Sequence, residues 1–316
     1  MILVAGGTGR LGREVVAGLS SRGLQIRVLT RNLEHARREI PGVELVRGDA
    51  RRPASLPPAL EGVDIVISLI TGFGPRGGGT GPVDYQANIN LIKASEAAGC
   101  RRFVLVSMRG ASPDHPMELI RMKYRAEEAV RASRLEWVII RPTVFLELWA
   151  GLVGDPILKS GKATVFGGGA NPVNFVSVKD LASFVEMAVV DERLTRVVLE
   201  VGGPENLTFK ELIEKVERIT GRRAKVRYVP LRLMRVARRL LKPVRPDVAG
   251  MIEAGIVMDT VDMSFDTRRL QERFPEIQLT GSESAVSRVL FPASAGGAGT
   301  SWGGSHPSRS PVTRRL

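Results

Sequence analysis

The first twelve residues constrain this chain most: Met1-Ile2-Leu3-Val4-Ala5-Gly6-Gly7-Thr8-Gly9-Arg10-Leu11-Gly12. An apolar run too short for a helix stops at Gly6, Gly9 and Gly12 in G-x-x-G-x-x-G spacing, and an amphipathic segment from Arg10 to Ser21 follows at once. The pattern reads as strand, glycine turn, helix. Three tasks in such a turn demand glycine: a backbone that enters positive φ, a surface free of Cβ where a pyrophosphate approaches, and close packing of helix on strand. The helix then aims unpaired N–H groups and the positive end of its dipole at the phosphates. Glycine turns also serve ordinary chain reversal. Here the strand begins at residue 1, the helix follows directly and a second βα unit comes next, which favours dinucleotide binding through Gly6, Thr8, Gly9, Arg10, Leu11 and Gly12.

The alternation continues. Gly23 stops the helix and Gln25 to Leu29 reads as a second strand leading into Thr30-Arg31, the corner that faces the adenosine ribose in this layout. An acid there would bond the 2′-OH of NAD, and none is present. Arg31, together with Arg10 from the glycine loop, can pair with a 2′-phosphate, so NADP is the expected cofactor and NAD the second choice. Val43 to Val46 is the third strand, followed by Asp49, which either sits beside the adenine or caps a short helix. Ile65 to Ile70 is a continuous apolar run ending at the expected cofactor cleft, so Ile70 joins the candidate cofactor residues. Residues 72 to 83, rich in Gly and Pro, read as a mobile loop. Phe103 to Val106 delivers Ser107 to a strand C-terminus, where open α/β sheets bind ligands, and His115 lies in the loop beyond. A helix from about Met117 to Ser133 carries Lys123, and Trp137 to Ile140 is a further strand ending in Arg141-Pro142. Successive βα units give an α/β fold, a Rossmann-type doubly wound parallel sheet.

Beyond Pro142 the alternation lapses. Val173 to Val176 reads as a short strand, and two capping boxes, Ser177 to Asp180 and Thr208 to Glu211, open helices. The expected division is a Rossmann domain over 1–145, a smaller α/β substrate-side region over 146–291, and a disordered basic tail over 292–316, dense in Ser, Gly, Pro and Arg.

The net charge of +13 concerns partners more than fold. Ten basic residues fall between Arg222 and Arg245 without one Asp or Glu. Within that stretch Leu231, Met234, Ala237 and Leu241 share one helical face, with Arg232, Arg235, Arg238, Arg239 and Lys242 elsewhere. Such a helix over 231–242 either covers a substrate pocket or lies on an anionic membrane surface or acidic partner. No specific nucleic acid is expected. Cys100 is the one cysteine and the three histidines are scattered, so no metal site is expected. With no leader-like segment and no apolar run of membrane-spanning length, the expected compartment is the cytoplasm, with a peripheral membrane location as the variant.

The chain resembles the NmrA-like, NAD(P)H-binding atypical short-chain dehydrogenases, a group close to the nucleotide-binding accessory subunit of respiratory complex I. The residues carrying the resemblance are the glycine loop, Val83 to Asn88, Phe103 to Ser107, Lys123, Arg141-Pro142, Asn174 to Asp180 and Gly202 to Glu205, spread over roughly residues 1 to 280. The resemblance implies that Lys123 bonds the nicotinamide ribose and that Ser107 holds the active-site serine position. One departure stands out. These enzymes use Tyr-x-x-x-Lys, in which Lys lowers the pKa of a Tyr one helical turn away and the phenol exchanges a proton as hydride moves. Four residues before Lys123 this chain has Leu119, and Tyr124 is rotated about 100° from that corner.

Two readings stand. In the first the chain is an NADPH-dependent reductase of a small carbonyl, quinone or conjugated substrate, with Lys123, Tyr124, His115 or water supplying the proton and Ser107 assisting. In the second it binds NADP(H) without turnover, as a redox sensor or an assembly factor. The retained Ser107 and Lys123 favour the reductase.

Overall fold

β1 (Ile2–Ala5) is buried at all four positions, as a strand covered on both faces must be. In the computed structural model, which describes residues 1–73 and 79–292, it leads through the glycine turn into α1 (Arg10–Ser21). There follow β2 (Ile26–Thr30), α2 (Leu33–Glu39), β3 (Glu44–Arg47), a short α3 (Pro57–Leu60) and β4 (Ile65–Ser68). A π-helical segment, Gly81–Ala87, runs directly into α4 (Asn88–Ala97), and β5 (Arg102–Val106), α5 (Glu118–Arg131) and β6 (Glu136–Pro142) complete the regular alternation. The later half comprises β7 (Val144–Phe145), α6 (Leu146–Ser160), β8 (Lys162–Phe166), β9 (Val173–Val176), α7 (Val178–Val190) and β10 (Val197–Val201). After these come β11 (Asn206–Leu207), α8 (Phe209–Thr220), β12 (Lys225–Val229), α9 (Leu231–Leu241), α10 (Pro246–Thr260), α11 (Arg268–Arg273) and α12 (Ser282–Leu290).

Seven strands form one parallel sheet in the order β10-β6-β5-β4-β1-β2-β3. The order reverses at β1, which pairs with β2 through Ala5 opposite Leu29 and with β4 through Ala5 opposite Ser68. Gly6, Thr30 and Leu69 therefore emerge side by side at the C-terminal edge, where a crevice opens in this class of sheet.

The expected division at residue 145 is not how the cores divide. α7 and β10, both beyond it, return to the large sheet: β10 pairs with β6, Val197 opposite Val138, and Leu181, Phe184 and Val185 of α7 share a core with Val15, Val16 and Leu19 of α1. Contact between the two helices is close at Gly18, where a Cβ would fall 1.8 Å from a carboxylate oxygen of Glu186. The seventh strand lay hidden because α6, β8 and β9 intervene between it and β6. α11 and its C-cap add Leu270 and Phe274 to the same large-sheet core, while α6, α8 and α12 pack around a separate apolar cluster that includes Trp149, Ile157, Leu212 and Val286.

Two local expectations are corrected. Thr208 does close a capping box with Glu211, but Ser177 does not cap with Asp180. The N–H of Val178 and the hydroxyl of Ser177 both donate to Glu147, while the Asp180 carboxylate accepts from Thr280, so tertiary partners displace the local ones. Residues 81–83 of the expected loop are helical, begun by Pro82 in the first turn; 74–78 and the tail from 293 lie outside the described residues. Among the described residues no helix is long and apolar enough to cross a membrane.

Candidate functional site

Gly6 turns the chain at φ +90°, and a Cβ there would meet the Leu69 carbonyl carbon at 3.0 Å, so only glycine fits the gap between β1 and β4. A Cβ on Gly12 would fall 2.2 Å from the Gly6 carbonyl oxygen, which lets the first turn of α1 rest on the loop backbone. Gly9 is the N-cap of α1 and offers no side chain to its first N–H groups. An uncapped helix start beside a glycine-rich turn is a ready anion site, and it fits a dinucleotide pyrophosphate.

Two hollows flank this loop. The outer one is lined by Thr8, Gly9, Arg31, Asp49, Arg51 and Ile70 among others. Arg31 stands exposed at the end of β2, with His35 and Asn32 nearby, and its charge reaches Asp49 across the same hollow. Asp49 lines this hollow and does not cap the short turn that follows, whose N-cap is Arg52; Arg51 grips its carboxylate through Nε and Nη2, the latter at 2.6 Å, and that hydrogen bonding holds the Asp49 carboxyl below its ordinary pKa. The inner hollow, a cavity of about 300 Å³, is lined by Arg10, Leu11, Ser107, Leu119 and Lys123 and otherwise mostly by apolar side chains such as Met108, Met117, Leu148, Trp149 and Met263. Arg10 therefore lines the inner cavity, whereas the outer hollow that holds Arg31 does not include it. Burial lowers the Arg10 pKa, opposed by the negative field of Glu147.

Lys123 is held on three sides. Its Nζ donates to the carbonyls of Ile70 at 2.9 Å and Val106 at 3.2 Å and lies 3.1 Å from Asp84 Oδ1. Asp84 is itself fully buried, and its other oxygen accepts from the Gly72 N–H. The π-helical turn carries this aspartate inward, so the lysine joins the ends of β4 and β5 to the 81–87 segment. A ribose hydroxyl reaching the ammonium would share or displace one of these partners.

Ser107 is committed too. Its hydroxyl donates to Glu127, a fully buried carboxylate that Arg141 grips with both Nε (2.9 Å) and Nη2 (2.6 Å). That hydrogen bonding raises the Arg141 pKa further. Leu119, Lys123 and Glu127 follow one another at four-residue spacing along the inner face of α5. Leu119 lines the cavity where the family's tyrosine would stand, whereas Tyr124 does not line it and packs in the cluster with Ala111 and Met117. His115 does not line it either. Its Nδ1 accepts from the Met117 N–H, and burial lowers its pKa. Sequence reasoning thus missed Asp84 and Glu127. Glu127 had a signal, a charge one turn beyond Lys123 facing a strand that ends in Arg141; Asp84 had none beyond its place in the family motif.

A family model described as NAD(P)H-binding matches residues 6–192. The chain belongs to this NAD(P)H-binding family, in its NmrA-like atypical short-chain dehydrogenase/reductase group. It is 30% identical over 239 residues to the photosystem II assembly factor Ycf39 of Synechocystis sp., covering 75% of this chain and 73% of that one. It is 31% identical over 234 residues to an NAD(P)H azoreductase of Xenophilus azovorans, covering 74% of this chain and 78% of that one. Among solved structures, the fold is shared with a NADPH-dependent quinone oxidoreductase of Escherichia coli in complex with NADPH, at a TM-score of 0.74 and 21% identity over 92% of this chain and 99% of that one. The family model and these relatives show an NAD(P)H-binding chain in a reductase-like family.

Proposed function

We propose that the chain is an NADPH-dependent reductase of an apolar conjugated acceptor, a quinone or conjugated carbonyl. The observation carrying this reading is Leu119 on the wall of an apolar cavity, where a proton donor would otherwise stand. Reduction of a simple ketone concentrates charge on one oxygen and calls for a positioned donor. A quinone spreads that charge over its ring, so the demand falls and water suffices as the proton source.

The residues divide the work. Gly6, Thr8 and Gly9 with the start of α1 would hold the pyrophosphate, Arg31 the 2′-phosphate, and Ile70 and Lys123 the nicotinamide end. Bound NADPH supplies a hydride, and conversion of a quinone to a hydroquinone takes up one proton besides. Arg10 contributes a desolvated positive charge to the cavity wall that stabilises an anionic product. Ser107, whose hydrogen is given to Glu127, offers only its oxygen as an acceptor and so orients a ligand without protonating it.

The second reading, NADPH held without turnover, draws support from the same commitments: Lys123 and Ser107 already have protein partners, and one relative is named as an assembly factor. Single-turnover oxidation of bound NADPH, followed by absorbance with quinones, enals and simple ketones, separates the two. The reductase oxidises NADPH with quinones or enals faster than with ketones. Inertness toward the whole panel leaves the cofactor as a bound signal.

A further inference from the structure

α9 has two apolar faces, of which one is covered. Met234 is buried against Gly255 of α10, and Leu231, Ala237 and Leu241 flank it half-buried. The other face points outward: Leu233, Val236 and Leu240, with Val244 just past the helix end, are 62%, 58%, 70% and 77% exposed. At about 100° per residue the first three fall within an arc of roughly 60°. Four of the eight large apolar side chains that the described residues leave exposed lie in this short stretch, so it is a patch and not scatter.

Arg232, Arg235 and Arg239 border that stripe along one side. Their charge is not spent within the fold. Arg238 pairs with Glu253, Lys242 with Glu118 and Arg245 with Asp247, but Arg232, Arg235 and Arg239 have no acidic partner among the described residues. An acidic surface is the electrostatic complement of this row, and leucines beside it require that surface to have an apolar interior. A second copy of the chain would bring arginine against arginine.

We propose that the outer face of α9 docks on an anionic lipid bilayer, the helix lying parallel to the surface with Leu233, Val236 and Leu240 at the acyl boundary and the three arginines among headgroup phosphates. At eleven residues α9 is far too short to span a bilayer, so this is attachment to one leaflet. Docking needs no turnover and stands apart from the reductase reading.

The test is flotation of the full-length chain with phosphatidylcholine vesicles and with vesicles one-third phosphatidylglycerol, at low and at physiological salt. Binding is expected to the anionic vesicles alone and to weaken as salt rises. The Arg232→Gln/Arg235→Gln/Arg239→Gln variant loses on the order of a hundredfold in partitioning. The Leu233→Ser/Leu240→Ser variant loses about tenfold or more. Leu240→Trp, at an exposed position that leaves the fold alone, shows a blue-shifted emission with anionic vesicles. Absence of flotation at low salt overturns the proposal, as does equal binding to neutral vesicles. Undiminished binding by the leucine variant also overturns it, assigning the charge attraction to another basic segment, and so does a wild-type dimer that the leucine variant dissociates without any lipid binding.

Discussion

Ser107 gives its hydroxyl hydrogen to Glu127, a carboxylate with no exposed surface, and Arg141 closes on the same carboxylate from β6. The serine is thereby fixed by a buried ion pair rather than by a tyrosine. Removing one partner of such a pair strands the other charge in low dielectric. Glu127→Ala is expected to cost about 3–5 kcal/mol of stability, read by urea denaturation. Ser107→Ala, which removes one hydrogen bond to a charged group, costs about 1.5–3 kcal/mol. A Glu127→Ala protein as stable as the wild type would show that the pair contributes nothing.

Arg31 should set cofactor choice. Arg31→Ala weakens NADPH binding by about 1–3 kcal/mol and leaves NADH binding nearly unchanged, measured by fluorescence titration of both. An unaltered preference after the substitution would move 2′-phosphate recognition elsewhere in the outer hollow.

Lys123 cannot be tested alone, because Lys123→Met leaves Asp84 buried without its counter-charge. The paired change Lys123→Met/Asp84→Asn removes both charges and should restore most of the stability lost in the single variant while turnover stays abolished. Leu119→Tyr is the complement: it adds a phenol one turn from Lys123 on the cavity wall. Reduction of simple ketones is expected to appear, visible as NADPH oxidation under single-turnover conditions. A variant that folds and binds NADPH but gains no ketone activity would mean that the cavity does not admit the phenol beside the carbonyl.

His115 makes stability depend on pH. Burial lowers its folded pKa below the ordinary 6.5, so the unfolded chain takes up the proton first as pH falls. The contribution is present above pH 6.5 and is lost progressively as pH drops from there toward the folded pKa. Urea midpoints across that window should decline in the wild type and flatten in His115→Asn. Equal slopes in the two proteins would assign the decline to other groups.

The part of the fold written in local pattern was legible. The glycine spacing announced the turn, and buried apolar runs such as Phe103 to Val106 announced strands covered on both faces. Partners distant in sequence were not. Ser177 carries every local mark of a capping box with Asp180, yet Glu147, thirty residues earlier, accepts from its hydroxyl and from the Val178 N–H, while Asp180 is taken by Thr280, a hundred residues on. The apolar stripe of α9 shows how much a helix face can hide: Met234 and Leu241 announced the inner face, and the arginines drew attention from Leu233, Val236 and Leu240 between them. Spacing places Arg10 at the start of α1 without giving the direction of its side chain, which lines the inner cavity. Asp84 needed the π-helical turn to bring it beneath Lys123, and no repeat in the sequence marks such a turn.

That β10 pairs with β6 bears on how the molecule is made. A nascent chain that has reached Pro142 holds six of the seven strands, yet the outer edge of β6 is still bare and Val15, Val16 and Leu19 of α1 await Phe184 and Val185. An uncovered parallel edge beside an uncovered apolar helix is adhesive. Through the synthesis of about sixty more residues, until Val201 has been added, that edge stays open to pairing with other chains.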